Sequence, residues 1–172
     1  MTLDAPSAQL LSVLLGGVLA IASGIAVQWA ILHQSRNAER RSLAGAFVGE
    51  LSALLSVMEQ RCYLDQIDAL IAETERTGQV PRTVFSFRHH YFRVFDANAG
   101  RLGILDPPLP EMLAHHYIYS KVFLDDMEDL ASKVEQLNPE ATLIRLRATR
   151  DLLAEGLRRG PACLQEARRQ AR

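Results

Sequence analysis

Residues 10 to 32 read LLSVLLGGVLAIASGIAVQWAIL and contain no Asp, Glu, Lys or Arg; the charge-free run extends from Ala5 to Ser35. A helix of about 20 apolar residues crosses a hydrocarbon core of about 30 Å, so this stretch is long enough to span a bilayer with some tilt. Its twelve Leu, Ile and Val residues, at about −0.3 to −0.6 kcal/mol each, favour insertion by about 4 to 7 kcal/mol before the cost of Ser12, Ser23, Gln28 and the glycines. A cleavable signal peptide opens on basic residues and has an apolar core of about 7 to 15 residues. Here MTLDAPSAQ holds one Asp and no basic residue, and the apolar run is too long, so the stretch reads as a retained anchor. The chain then divides into a short N-terminal tail, 1–9, a transmembrane helix, 10–32, and a helical bundle domain, 33–172.

Arg36, Arg40 and Arg41 lie just beyond the span, where positive charge sets topology, so the C-terminal domain is expected in the cytoplasm and the anchor in the inner (cytoplasmic) membrane as a single pass. Within the span Ser12, Gly16, Ala20, Gly24 and Gln28 recur every fourth residue. Four small side chains and an amide on one stripe let a second backbone approach closely, and point to a homodimer through the membrane helix. Frequent Gly and Ala in spans produce the same pattern by chance.

The rest of the chain is long enough for one domain with its own core. Nineteen basic residues against twenty acidic ones give no global reason to expect nucleic acid. Cys62 and Cys163 lack any C-x-x-C spacing, which fits plain thiols and leaves a disulfide between them open.

After the anchor, Leu43, Phe47, Leu51, Leu54 and Met58, then Leu64, Ile67 and Ile71, recur at spacings of three and four, one face of a helix. No breaker occurs at the 34–41 junction, so the membrane helix is expected to continue as one long rod, stopping at Gly78 and Pro81. Phe85, Phe87, Tyr91, Phe92 and Phe95 predict a short aromatic helix over about 87–98 closed by Gly100. Leu105 to Pro110 reads as an extended joint. A third soluble helix over 111–137 carries Met112, Ile118, Val122 and Leu130, and the acidic turn Asp125, Asp126, Glu128 and Asp129. Asn138-Pro139-Glu140 opens the fourth, whose Arg145 to Arg150 would face that turn. Gly160-Pro161 should kink or end it, leaving 162–172 as a basic tail. The fold class is all-α: an N-terminal transmembrane helix continuing into a small antiparallel helical bundle.

With its anchor, RRSLAGAFVGELSALL from Arg40, YFRVFDANAGRLGIL from Tyr91 and the Pro-rich joint, the chain resembles uncharacterised small bacterial single-span membrane proteins with a helical soluble domain. The resemblance implies membrane association and a bacterial setting, and brings no activity, ligand or catalytic residue.

Candidate chemistry is sparse. His89-His90 and His115-His116 each precede a Tyr, and Glu111 lies one turn before His115; one His from each pair could share a metal with that carboxylate, yet histidines hydrogen-bonded beside aromatic rings explain the pairs as well. Asp96, Asn98 and Arg101 around a helix end could form an interaction loop, or be capping and turn residues. The acidic turn lacks the twelve-residue Ca²⁺ loop, and no nucleotide or catalytic-serine motif occurs. Arg158, Arg159, Arg168, Arg169 and Arg172 could meet anionic headgroups or simply be solvated. No cofactor, metal or catalytic residue is expected. The expected function is a non-enzymatic membrane-anchored scaffold or interaction protein for a cytoplasmic protein partner; the alternative is a membrane-anchored small-ligand sensor, which a pocket at the Phe85 to Phe95 cluster would favour.

Overall fold

The computed structural model describes residues 5–81, 91–133 and 138–172, and they are helical with no strand among them. Five α-helices follow in order: α1 (Ala5–Gln60), α2 (Tyr63–Thr77), α3 (Arg93–Asn98), α4 (Leu109–Lys133) and α5 (Pro139–Gln170), with a 3₁₀ turn, Ala99–Ile104, after α3. The chain forms two compact units, Met1–Glu39 and Arg40–Arg172. It is an all-α protein, a long apolar N-terminal helix followed by packed helices.

In the first unit every side chain from Gly16 to Arg36 is exposed. Val18, Leu19, Ile21, Ile25, Trp29 and Ile31 each leave more than half their surface uncovered, and this helix is long and apolar enough to cross a membrane.

In the second unit the apolar periodicity of α1 is realised: Leu43, Phe47, Leu51, Leu54 and Met58 are all buried. The expected continuation to Thr77 is not. The helix ends at Gln60, and Cys62 takes a left-handed conformation, φ 48°, before α2 begins. A non-glycine residue accepts that conformation at a cost of order 1 kcal/mol or more; here the turn allows Tyr63, Ile67 and Leu70 to bury. Gly78, φ 67°, closes α2 as expected, its N–H bonding Thr74 O at 2.9 Å.

The aromatic segment is shorter as helix than its sequence suggests. Of its described part, α3 covers only Arg93–Asn98 and passes into the 3₁₀ turn; residues 82–90, with Phe85, Phe87 and the His89-His90 pair, lie outside the described residues. Phe92 is buried among Leu51, Leu54, Leu113 and Tyr117, with Tyr117 edge-on at 5.7 Å. Phe95 stacks on Tyr117 at 4.2 Å.

The phase of α4 also differs. Ile118 is 54 % and Val122 40 % exposed, whereas Leu113, Tyr117, Phe123 and Met127 are inside. Apolar residues occur on several faces of this helix, and the larger rings take the interior because they remove more surface from water.

At Asn138 the expected cap is present: its side chain accepts from Glu140 N at 2.9 Å, with Pro139 first in the helix. The acidic turn meets Arg145 of the arginines expected opposite it. Arg145 pairs with Asp126, at 2.7 Å, and Asp129; Arg147 and Arg150 instead reach Glu75 and Asp68 on α2, at 2.6 and 3.0 Å.

The largest correction concerns the tail. Pro161 sits inside α5, which continues to Gln170 with Cys163, Ala167 and Gln170 buried. Proline in a helix interior costs about 3 kcal/mol, and the burial of this last segment offsets it. Gln170 clamps the joint before α4, donating from Nε2 to Asp106 O at 2.8 Å and accepting from Asp106 N at 3.0 Å. Replacing it by Ala strands a half-buried backbone pair, and Gln170→Ala is expected to lower stability by about 1 to 3 kcal/mol in urea unfolding, against near-neutrality for exposed Arg172→Ala.

Candidate functional site

The loop residues singled out from sequence bond within their own neighbourhood. Asn98 donates to Val94 O at 2.8 Å and accepts from Arg101 Nη1 at 3.0 Å. Asp96 is ion-paired to Lys121, whose ammonium lies 5.8 and 5.6 Å from the ring centres of Phe92 and Phe95. Of the membrane stripe, Gly16, Ala20, Gly24 and Gln28 are exposed, with open space where a Cβ on Gly16 or Gly24 would lie; the Ser12 side chain lies outside the described ones.

Sequence reasoning missed Glu50. Its carboxylate, projected from α1, accepts from Val94 N at 2.7 Å, Phe95 N at 3.0 Å and Tyr117 Oη at 2.6 Å. It therefore caps the start of α3, where Phe92 provides no side-chain bond, and favourably meets the positive helix end. Burial, then this carboxylate, pushes the Tyr117 phenol above its usual range. The only sequence signal is a carboxylate one residue from the buried stripe of α1.

The second arrangement centres on the His115-His116 pair. His115 is exposed, its ring 6.1 Å from that of Tyr119. His116 is 2 % exposed, and neither ring nitrogen has a hydrogen-bond partner at good geometry among the described residues. Burial lowers its pKa from 6.5, with the Gly156 carbonyl acting in the opposite, smaller sense. A buried polar group without a good partner costs about 1 to 3 kcal/mol, and the Gly156 carbonyl is the acceptor that stands beside this neutral imidazole.

His116 lines a cavity of about 490 Å³ between α4 and α5. Its floor is the buried set His116, Gly156 and Cys163, and its rim the exposed Glu111, His115, Arg158 and Arg159. Small residues of α5 leave this opening: Gly156 presents no side chain, with nothing within 4 Å of where a Cβ would lie, and Ala162 and Cys163 line the same space. Burial pushes the Cys163 thiol up to about 12, so it is protonated and a poor nucleophile. Cys62 and Cys163 are both unbonded.

No group of three or more His, Cys, Asp or Glu side chains is placed to hold a metal among the described residues. Of the acidic turn, Asp126 and Asp129 are taken by Arg145, and Asp126 also accepts from Thr149 Oγ1 at 3.0 Å. Of the aromatic cluster expected to hold a ligand, Phe85 and Phe87 lie outside the described residues; around Tyr91, Phe92 and Phe123 there is a hollow of about 20 Å³. That is too small for anything beyond a water molecule.

No protein-family model, no curated protein and no solved structure matches this chain.

Because His116 is buried neutral with a depressed pKa, the unfolded chain binds its proton first as pH falls. Stability should therefore be present above about pH 6.5 and decline below it at up to about 1.4 kcal/mol per pH unit from this group, until the folded-state pKa is passed. Urea unfolding from pH 7.5 to 5 should show a shallower decline in His116→Phe than in the parent chain.

Proposed function

We propose that this protein is a non-enzymatic, membrane-anchored helical scaffold. Residues 10–32 hold it as a single pass in the inner membrane of a bacterium, and the bundle presents its surface to a protein partner in the cytoplasm. The observation that carries the reading is the uncovered run of Val18, Leu19, Ile21, Ile25, Trp29 and Ile31, apolar area far beyond what water tolerates on a soluble surface and suited to hydrocarbon. Arg36, Arg40 and Arg41 on its C-terminal flank support the cytoplasmic orientation. The lipid bilayer is its first partner. A second copy, seated on the stripe of Ser12, Gly16, Ala20, Gly24 and Gln28, is the next, and nucleic acid is not among its partners.

One observation favours the alternative, a small-ligand sensor. The cavity over His116 offers a binding volume at a different place from the aromatic cluster where one was expected.

Two measurements test the anchored scaffold. A reporter active only in the cytoplasm, fused after Arg172, should give signal, and one active only outside should stay silent; the opposite pattern would reverse the orientation. Gly16→Ile with Gly24→Ile should reduce association of the membrane helix in a two-hybrid reporter by about ten-fold or more, since the bulk separates the backbones; unchanged association would remove the dimer.

A further inference from the structure

We infer that the last turn of α5 is a docking surface for anionic phospholipid headgroups, through which Arg168, Arg169 and Arg172 bind the bilayer. This rests on the anchored reading above and adds an electrostatic attachment to it.

Position comes first. Arg40 is the first residue of the second unit, and its guanidinium is ion-paired to Asp106. The backbone N–H and carbonyl of Asp106 are both bonded by the Gln170 side chain, at 3.0 and 2.8 Å. The last turn of α5 is therefore fastened where the chain enters the bundle. Arg40 follows Leu32 by eight residues, and eight residues reach at most about 29 Å however the junction bends. A chain anchored through residues 10–32 keeps this turn within reach of the headgroups.

The arginines share one side of the helix. Cys163, Ala167 and Gln170 are buried, which leaves Arg168, Arg169 and Arg172 exposed on the other side. Residues three and four apart are neighbours on a helix surface, so Arg172 projects with both of the others. All three line a hollow of about 590 Å³ with Pro108, Met112 and Glu166.

That hollow is positively charged. Glu166, the carboxylate on it, is bonded by Arg169 at 2.7 and 2.5 Å, and Asp106 is engaged by Arg40. Among the described residues no carboxylate is ion-paired to Arg168 or Arg172. The helix C-terminus supplies only about half a negative charge, so a net positive surface remains.

The chemistry selects a lipid phosphate. A guanidinium fork donates two parallel bonds to phosphate oxygens. Pro108, Met112 and Ala162 give the same hollow an aliphatic wall, which the glycerol ester part of a phospholipid covers and a free phosphate does not.

The test places the full chain in nanodiscs of phosphatidylcholine, with and without a quarter of the lipid as phosphatidylglycerol. The reaction of each arginine with phenylglyoxal is followed by mass spectrometry. Arg168 and Arg172 should react about five-fold more slowly in the anionic discs. The difference should vanish in molar salt, where the Debye length is about 3 Å. Arg147, about 30 Å from Arg168 along α5, should react alike in both. In Arg168→Gln with Arg172→Gln, both exposed positions, Arg169 should no longer be slowed by the anionic lipid. Equal rates for Arg168 and Arg172 in the two discs, or slowing of Arg147 to the same degree, would remove the docking surface and leave the anchor standing. Slowing by inorganic phosphate in phosphatidylcholine discs, equal to that by the anionic lipid, would make the occupant a soluble anion and overturn the lipid assignment. Failure of the chain to elute with either disc would overturn the anchored reading and this one together.

Discussion

The close approach of the C-terminal half of α5 to its neighbours is the constraint on which the bundle depends. A Cβ on Gly160 would fall 2.4 Å from Leu55 Cδ2 and 3.3 Å from His116 Cε1. Interiors at crystal-like density transmit such contacts rather than absorb them. The stripe Gly156, Gly160, Cys163 and Ala167 is buried along its length, so α5 presents little more than backbone to α1 and α4. That proximity explains how Pro161 is held in helical form, because the contacts made beyond it outweigh the bond it removes. It also explains the cavity, since small side chains that admit a neighbour at one level leave space unfilled at the next.

Glu50 organises the other end of the same core. One carboxylate satisfies two backbone N–H groups of α3 and the Tyr117 hydroxyl, and so joins three elements that meet from distant parts of the chain. Charge-assisted bonds of this sort are about twice as strong as neutral ones. The rings of Phe92 and Phe95 pack around Tyr117, and Lys121 lies over both. Among the described residues the hollow beside Phe92 is about 20 Å³, and a larger one of about 490 Å³ lies beside Gly156.

Charge on this protein is mostly spent in pairs. Arg147 and Arg150 tie α5 to α2, and Arg145 ties it to α4; exposed pairs contribute about 1 kcal/mol or less each, so they orient helices already committed by burial. The excess of guanidinium groups gathers along α5 from Arg158 onward.

The sequence by itself determined the long apolar N-terminal helix, the all-α class, the buried face of α1 and the caps at Gly78 and Asn138, because each depends on local composition, period or a backbone preference of neighbouring residues. Three features were decided only by tertiary structure. The break at Cys62 has no local breaker and exists because Tyr63, Ile67 and Leu70 bury after it. The phase of α4 that exposes Ile118 seats Tyr117 among Phe47, Phe92 and Phe95 and brings its hydroxyl to Glu50, 67 residues away. His116 was visible as half of a histidine pair, but its burial against Gly160 and the cavity beside Gly156 come from two glycines of a helix that a proline should have ended. Periodicity reports which residues share a face; it cannot report how closely another helix will approach that face.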